Sequence, residues 1–264
     1  MSTLGGVARI GWFIGPLAAA PLIAEHGARA AFLVLIAGGL GAAAITCWSM
    51  DLVVPSAEGD HPGARPATPP LRETVRRHAR VLLTLGLGIL VIGLARASRN
   101  VVVPLWADHI GMSASEVSVL FGLGMGIEML LFYPAGWIMD RFGRKVAAVP
   151  SFSLMALGMA LIPFSHDFLT LSLVAMLIGL GNGLGSGLMM TLGADLAPPG
   201  ATGEFLGIWR LIGDVGGVMG PVAVGLVAAA VGLSGGAWIL SIAGWLAVVT
   251  LAVLVQETRH AGER

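Results

Sequence analysis

The chain has 264 residues, 56% of them hydrophobic and 11% charged, with a mean hydropathy of +0.88. A soluble domain carries about 25% charged residues, so this chain cannot clothe itself in a water-facing surface. Formal net charge is zero, which removes the footprint of a nucleic-acid binder, and the one cysteine, Cys47, lies in an apolar run, which excludes a disulfide framework and a thiolate metal site.

Apolar runs follow one another along the chain, each near the ~20 residues that a bilayer crossing needs. They cover Leu4–Ala24, Ala30–Met50, Val81–Trp106, Val117–Met139, Val146–Phe164, Phe168–Ala194, Phe205–Val231 and Ala237–Val255. Alternating β-barrel patterning is absent, so helices are the reading that satisfies the backbone in lipid. The fold class is therefore an all-α polytopic membrane protein with about eight transmembrane helices. Its 39 glycines suit close helix–helix approach. The first run lacks a basic start and is interrupted by Arg9, so it reads as a spanning helix and not as a signal peptide.

Between the second and third runs stand Pro55, Pro62, Pro66, Pro69 and Pro70, with Gly59 and Gly63. This stretch buries no apolar surface and reads as a flexible linker. Its end, from Leu71 to His78, reads as a solvated charged lead into the next helix, or as a basic amphipathic turn on the membrane surface. The organisation is a helix pair over residues 1–50, a linker over 51–80, six helices over 81–256 and a tail over 257–264.

The fourth and fifth runs are joined by Gly136-Trp-Ile-Met-Asp140-Arg141-Phe-Gly143-Arg144-Lys145. Four charges between two membrane-length runs make a turn at a membrane surface, and three basic residues mark that surface as cytoplasmic. Alternate loops on that side hold ten Arg and Lys, whereas the opposite loops hold only Arg29. Both termini are thereby expected in the cytoplasm.

The chain also repeats itself weakly. Gly15-Pro16 and Gly220-Pro221 lie 205 residues apart, as do Gly27 and Gly232. Weak similarity of this kind marks the internal repeats of transporters.

The Gly136–Lys145 turn fills every position of GxxxDRxGRK, the signature loop of the major facilitator superfamily of transporters, and the chain resembles that family. Gly11-Trp-Phe-Ile-Gly15-Pro16 is similar to the family's GxxxGP antiporter element, although Ala19 and Ala20 stand where glycines would continue it. Gly216-Gly-Val-Met-Gly220-Pro221 is its counterpart in the seventh run. The resemblance covers nearly all the chain, as helices five to twelve. It implies a C-terminal six-helix bundle preceded by the last pair of an N-terminal one, with four further helices expected ahead, from about position −124 on this numbering. The first pair is expected to pack separately, joined to the six only through the linker.

The resemblance further implies a secondary active transporter of a small molecule in the plasma (inner) membrane, working by alternating access. The drug or metabolite efflux branch with proton exchange is the nearest likeness. Implied partners are a small-molecule substrate, protons, the lipid bilayer and the expected N-terminal helices, with no nucleic acid, cofactor or metal. The alternative is a non-transporting membrane partner or an inactive fragment. An enzyme is not indicated: all six histidines fall in loops, the linker or the tail, and no nucleophile constellation or nucleotide loop is present.

Within the signature turn, Gly136 and Gly143 permit close packing and a tight reversal. Asp140 can face the positive end of a neighbouring helix, expected to be the one beginning near Leu4. Arg141, Arg144 and Lys145 can pair with it or with lipid phosphate. This set reads as a gate latch, or else as a turn whose charges only fix topology.

Charges inside spans are expensive and face a cavity or a partner. Arg96, Arg99 and Asn100 share one face of the third run. Glu128 lies mid-run without an evident local partner, which makes it the candidate protonatable residue. Arg210 and Asp214 can pair at i,i+4, and Asn182 sits among the glycines of the sixth run. Gly179 stands where the family's basic motif would place an arginine, which weakens an Arg-dependent proton relay. The candidate cavity set is thus Glu128, Arg96, Asn100, Asn182, Arg210 and Asp214. Arg99 is expected to snorkel at the outer end, the glycines of the sixth run to form a packing face, and Asp195 and Glu204 to be solvated. Trp12, Trp106, Trp137 and Trp238 read as interfacial anchors.

Overall fold

The computed structural model describes residues 2–53, 71–198 and 200–254. Its elements are α1 (Ser2–His26), α2 (Ala30–Val53), α3 (Leu71–Arg77), α4 (Ala79–His109), α5 (Ala114–Phe142), α6 (Arg144–Leu161), a 3₁₀ turn (Ile162–Phe164), α7 (Phe168–Leu184), α8 (Leu188–Leu196) and α9 (Thr202–Leu254). Among the described residues there is no strand. Six helical stretches are long and apolar enough to cross a membrane, and α1 adds a further helix of 25 residues.

The last stretch, α9, is 53 residues long and contains two legs. Gly232 breaks it with φ 78°, a backbone state open to glycine without strain. A Cβ on Gly236 would lie 3.9 Å from the Cβ of Ala228, eight residues back, where a continuous helix would separate them by ~12 Å. The chain therefore doubles back at Gly232, and the seventh and eighth runs are recovered as one hairpin. The turn between α5 and α6 is nearly as short. Gly143, at φ 100°, is the single residue between α5 and α6. Ser113 and Glu116 close a capping box at the start of α5. Asp167 caps α7, and the Thr170 backbone N–H followed by its hydroxyl hold the Asp167 carboxyl below the ordinary aspartate range.

Two apolar cores run through the bundle. At the Arg144 end, Leu82, Ile89, Met139, Phe152, Leu188, Phe205, Trp209 and Leu251 pack together. At the opposite end, Val103, Trp106, Leu120, Ile162, Leu171, Val224 and Leu240 do so. Trp106 is thus a correction: it is 4% exposed and donates from Nε1 to the Ser165 carbonyl at 2.9 Å, so it is a core residue and not an interfacial anchor. Trp12, Trp137 and Trp238 are exposed on the helix surfaces.

Glycines set the closest approaches. A Cβ on Gly216 would overlap the Leu90 carbonyl, and one on Gly220 would lie 2.7 Å from the Leu94 carbonyl, so α9 meets α4 backbone to backbone. A Cβ on Gly179 would overlap the Gly124 carbonyl of α5, and one on Gly181 would lie 2.6 Å from the Ser151 carbonyl of α6. The glycines of the sixth run are indeed a packing face.

Two expectations are overturned. The first helix pair does not pack apart. Gly122 and Gly126, one turn apart on α5, open a groove in which Leu17 and Phe13 of α1 lie: added Cβ atoms would stand 2.6 Å from Leu17 Cδ2 and 2.8 Å from Phe13 Cε2. Ser115 also donates to the Ala20 carbonyl at 2.9 Å. In contrast α2 is largely exposed, with Leu35 at 71% and Trp48 at 86%.

The sixth run is not one helix. It breaks at residues 185–187, where Gly187 takes φ 83° and α8 begins. Of the linker expected over 51–80, residues 54–70 lie outside the described residues; residues 51–53 complete α2, and α3 forms where the turn from Leu71 to His78 is expected.

Candidate functional site

The break in the sixth run is where the polar residues of the bundle converge. A cavity of about 730 Å³ lies between α1, α4, α5, the α7–α8 junction and α9. Of the residues the sequence singles out, Arg96, Asn100, Glu128, Asn182 and Asp214 line it, as do Gly11 and Pro16 of α1. Arg9, Arg99 and Ser186 join them, together with the apolar Trp12, Phe121, Met125 and Met189.

Each guanidinium is held differently. Arg99 Nη2 donates to Glu128 Oε2 at 2.9 Å, and the two side chains are 12% and 5% exposed. Arg96 Nη2 donates at 2.7 Å to the Gly185 carbonyl, which at the helix break also accepts from the Leu188 backbone N–H at 3.2 Å. Its Cζ sits 5.8 Å from the Phe152 ring centre. Arg9 Nη2 donates to Ser186 Oγ at 3.1 Å, and its Cζ lies 4.2 Å over the Phe132 ring. The unwound turn thus supplies polar groups to two cations, the use to which broken membrane helices are commonly put. Asn182 stands in the last turn before the break, with its Oδ1 buried and without a hydrogen-bond partner among the described residues.

Two readings of these residues change. Glu128 is not a lone carboxyl, because Arg99 lies one hydrogen bond away. Arg99 does not snorkel, because its side chain is buried against that carboxylate. Arg210 and Asp214 do pair, at 3.6 Å, but on an exposed face with both side chains 66% exposed; Asp214 borders the cavity and Arg210 is not among its lining. Arg9 is the residue the sequence reading passed over. It stands in an apolar run like Arg96, and the same cost of burying charge applies to it.

A second charged cluster lies at the signature turn. Arg144 is buried, and its Nε donates to Asp195 Oδ2 at 2.8 Å, its Nη2 to Asp195 Oδ1 at 3.4 Å and its Nη1 to the Met139 carbonyl at 3.1 Å. Asp195, at the end of α8, is therefore not a free acid: it pairs with Arg144, and its side chain is 16% exposed although its backbone faces outward. Glu204 is half-buried. Asp140 stands 3.9 Å from Arg144 Nη1 with its side chain 80% exposed. Arg141 lies over Trp137 at 5.4 Å, and Lys145 is half-buried. Gly143 makes the reversal, whereas a side chain at Gly136 would meet open space among the described residues, so Gly136 is not a point of close packing. The expected partner of Asp140, the start of α1, involves side chains outside the described residues.

The Gly-Pro elements divide likewise. Gly216 and Gly220 are close contacts of α9 with α4, with Pro221 inside α9. Gly11 and Gly15 face open space among the described residues, and Pro16 lies inside α1.

Membrane-length helices packed through glycine, with a cluster of charge enclosed at a broken helix, define an all-α polytopic membrane protein. A sequence model of the Major Facilitator Superfamily matches residues 1–221 and, in a second overlapping match, residues 85–264. The chain belongs to that superfamily. It is 29% identical over 106 residues to the arabinose-proton symporter of Bacillus subtilis, covering 40% of this chain and 21% of that protein. It is 25% identical over 145 residues to a probable nitrate transporter of Staphylococcus epidermidis, covering 54% of this chain and 37% of the other. With the multidrug resistance protein MdtH of Proteus mirabilis it shares 26% over 140 residues, 53% of this chain and 32% of that one. The chain thus spans well under half the length of these relatives.

Proposed function

We propose that this chain is a secondary active transporter of a small molecule, working by alternating access, with the Arg96–Glu128 cavity as its substrate site and protons as its coupling ion. The observation that carries this reading is the cavity itself. A charge at the centre of a spanning helix costs about 2.5–3.5 kcal/mol on insertion scales, and three arginines facing one space repay that cost by lining a pathway. The relatives' names, a proton symporter and transporters of small solutes, support the same reading. In this arrangement α1 and α2 belong to an N-terminal bundle whose four further helices complete the pathway. Both termini lie in the cytoplasm and the membrane is the plasma (inner) membrane.

Glu128 is the residue we assign to proton coupling. The Glu128→Gln protein keeps the shape of the side chain and loses its titration, so pH-driven transport in proteoliposomes is expected to fall about tenfold or more while substrate binding persists. Wild-type pH dependence in that variant would remove Glu128 from the coupling. Two coupling senses are open to it. The Gly-Pro element favours export in exchange for protons. The Arg99–Glu128 pair favours co-transport, because a proton on Glu128 releases Arg99 to the substrate. Substrate accumulating on the acidic side of the proteoliposome membrane indicates exchange, and on the alkaline side co-transport.

The signature turn we assign to gating, with Asp140 and Arg144 as the switching pair beside Gly136, Arg141, Gly143 and Lys145. Replacing Asp140 by Asn should leave membrane insertion intact and slow transport several-fold, since the pair biases a near-balanced equilibrium. Unchanged transport kinetics would leave the turn only a topological role.

A further inference from the structure

The segment that enters the bundle at its Arg144 end has two unlike faces. The His78 backbone N–H donates to the Thr74 carbonyl at 3.1 Å, and that of Leu82 to the His78 carbonyl at 3.0 Å, so the hydrogen-bond ladder of α3 runs on into α4. Residues three or four apart then share a face across the junction. One face holds Thr74, His78 and Leu82. Thr74 and Leu82 are buried, and the His78 ring meets Phe205 of α9 edge-on at 5.9 Å. The opposite face holds Arg76, Arg80, Leu83 and Leu87, with Arg77 beside them, and all five are exposed.

Along that outer face the chemistry changes within one turn. Arg76, Arg77 and Arg80 make no ion pair among the described residues, and Glu73 is the one acid of α3. Below them come the two leucines. Thr84, next to Leu83, turns its hydroxyl back to the Arg80 carbonyl at 2.7 Å, so it asks nothing polar of its surroundings. Leu87 stands ~10 Å along the axis from Arg80, within the ~15 Å of hydrocarbon that one leaflet provides.

We propose that this face binds an anionic phospholipid, its phosphate held by Arg76, Arg77 and Arg80 and an acyl chain lying along Leu83 and Leu87. A guanidinium fork bonds two phosphate oxygens at once. A choline or ethanolamine headgroup would bring a further cation to arginines that already outnumber Glu73. A protein helix docked here would cover the leucines and leave the arginines without a counter-charge. Because the other face rests on Phe205, the bound lipid fastens the junction of α4 with α9 to the headgroup layer. The site stands apart from the cavity and is independent of what the cavity carries.

The full chain, purified in a neutral detergent and titrated with phospholipids, tests this, with bound lipid counted by native mass spectrometry. Dioleoyl phosphatidylglycerol and dioleoyl phosphatidylcholine carry the same chains and differ in charge. Phosphatidylglycerol should be preferred by about tenfold or more, since each basic residue at the headgroup layer is worth roughly fivefold. Arg76→Gln/Arg80→Gln should erase the preference, and Arg76→Lys/Arg80→Lys should keep part of it. Arg29→Gln, in the turn between α1 and α2, should leave it unchanged. Glycerophosphoglycerol, the headgroup without chains, should not displace the lipid. Cooperative thermal unfolding shows that each variant is folded. Should the double glutamine variant not fold, Arg76→Gln and Arg80→Gln singly read the loss at about fivefold each.

Equal binding of the two lipids, or of neither, overturns the proposal. So does a preference that the arginine substitutions leave unchanged, or one that Arg29→Gln removes as well. Displacement by glycerophosphoglycerol would make the arginines a site for soluble phosphates and overturn the assignment to lipid.

Discussion

Arg144→Leu is expected to destabilise the protein by up to about 3 kcal/mol, because it takes from the Asp195 carboxylate the guanidinium that bonds both its oxygens. Arg144 reaches Asp195 with two nitrogens and the Met139 carbonyl with a third, and the paired side chains are only 10% and 16% exposed. The contact ties α6 to the end of α8, so its loss is felt at the Arg144 end of the bundle. The double variant Arg144→Leu/Asp195→Leu should recover most of the loss, since replacing both members of a buried pair by apolar groups is often neutral. Thermal unfolding of the wild type, the two single variants and the double variant in detergent closes the cycle. A single variant that unfolds at the wild-type temperature would mean that the pair adds nothing to stability.

Gly216→Ala is expected to cost about 1–3 kcal/mol and to impair transport together with stability. The added methyl would overlap the Leu90 carbonyl, and backbone cannot rotate aside as a flexible side chain can. The helix pair must part, and α4 carries Arg96 and Arg99 into the cavity with it. The adjacent Gly217 gives the control, because a Cβ there meets nothing within 4 Å. Gly217→Ala should be neutral or stabilising by up to ~1 kcal/mol through helix propensity. Equal effects of the two substitutions would remove the argument from backbone approach.

The spanning helices were legible because each is long, apolar and bounded by Gly, Pro or charge. The close approaches were partly legible. The glycines of the sixth run announce a packing face, and Gly122-x-x-x-Gly126 is the pattern of a close helix contact. What spacing could not reveal is pairing between distant elements. Arg99 and Glu128 stand 29 residues apart, and Arg144 and Asp195 stand 51 apart. Nothing in either helix alone says which cation meets which acid. The unwinding at residues 185–187 was hidden for another reason. Glycine in a membrane helix is usually tolerated, and only the arginines arriving from α1 and α4 make a break favourable there. Arg9 is legible on the same ground as Arg96, as a single charge in an apolar run.

The hairpin at Gly232 bears on how the chain is made. Its two legs are joined with no loop, so the first leg cannot settle in the bilayer while the second waits in the ribosomal tunnel. The first also carries Arg210 and Asp214, and its Gly216 and Gly220 lie against the backbone of α4, a helix synthesised more than a hundred residues earlier. The hairpin must therefore leave the insertion machinery as one object and dock on helices already in place. The order of synthesis and the order of packing are, for this part of the protein, the same order.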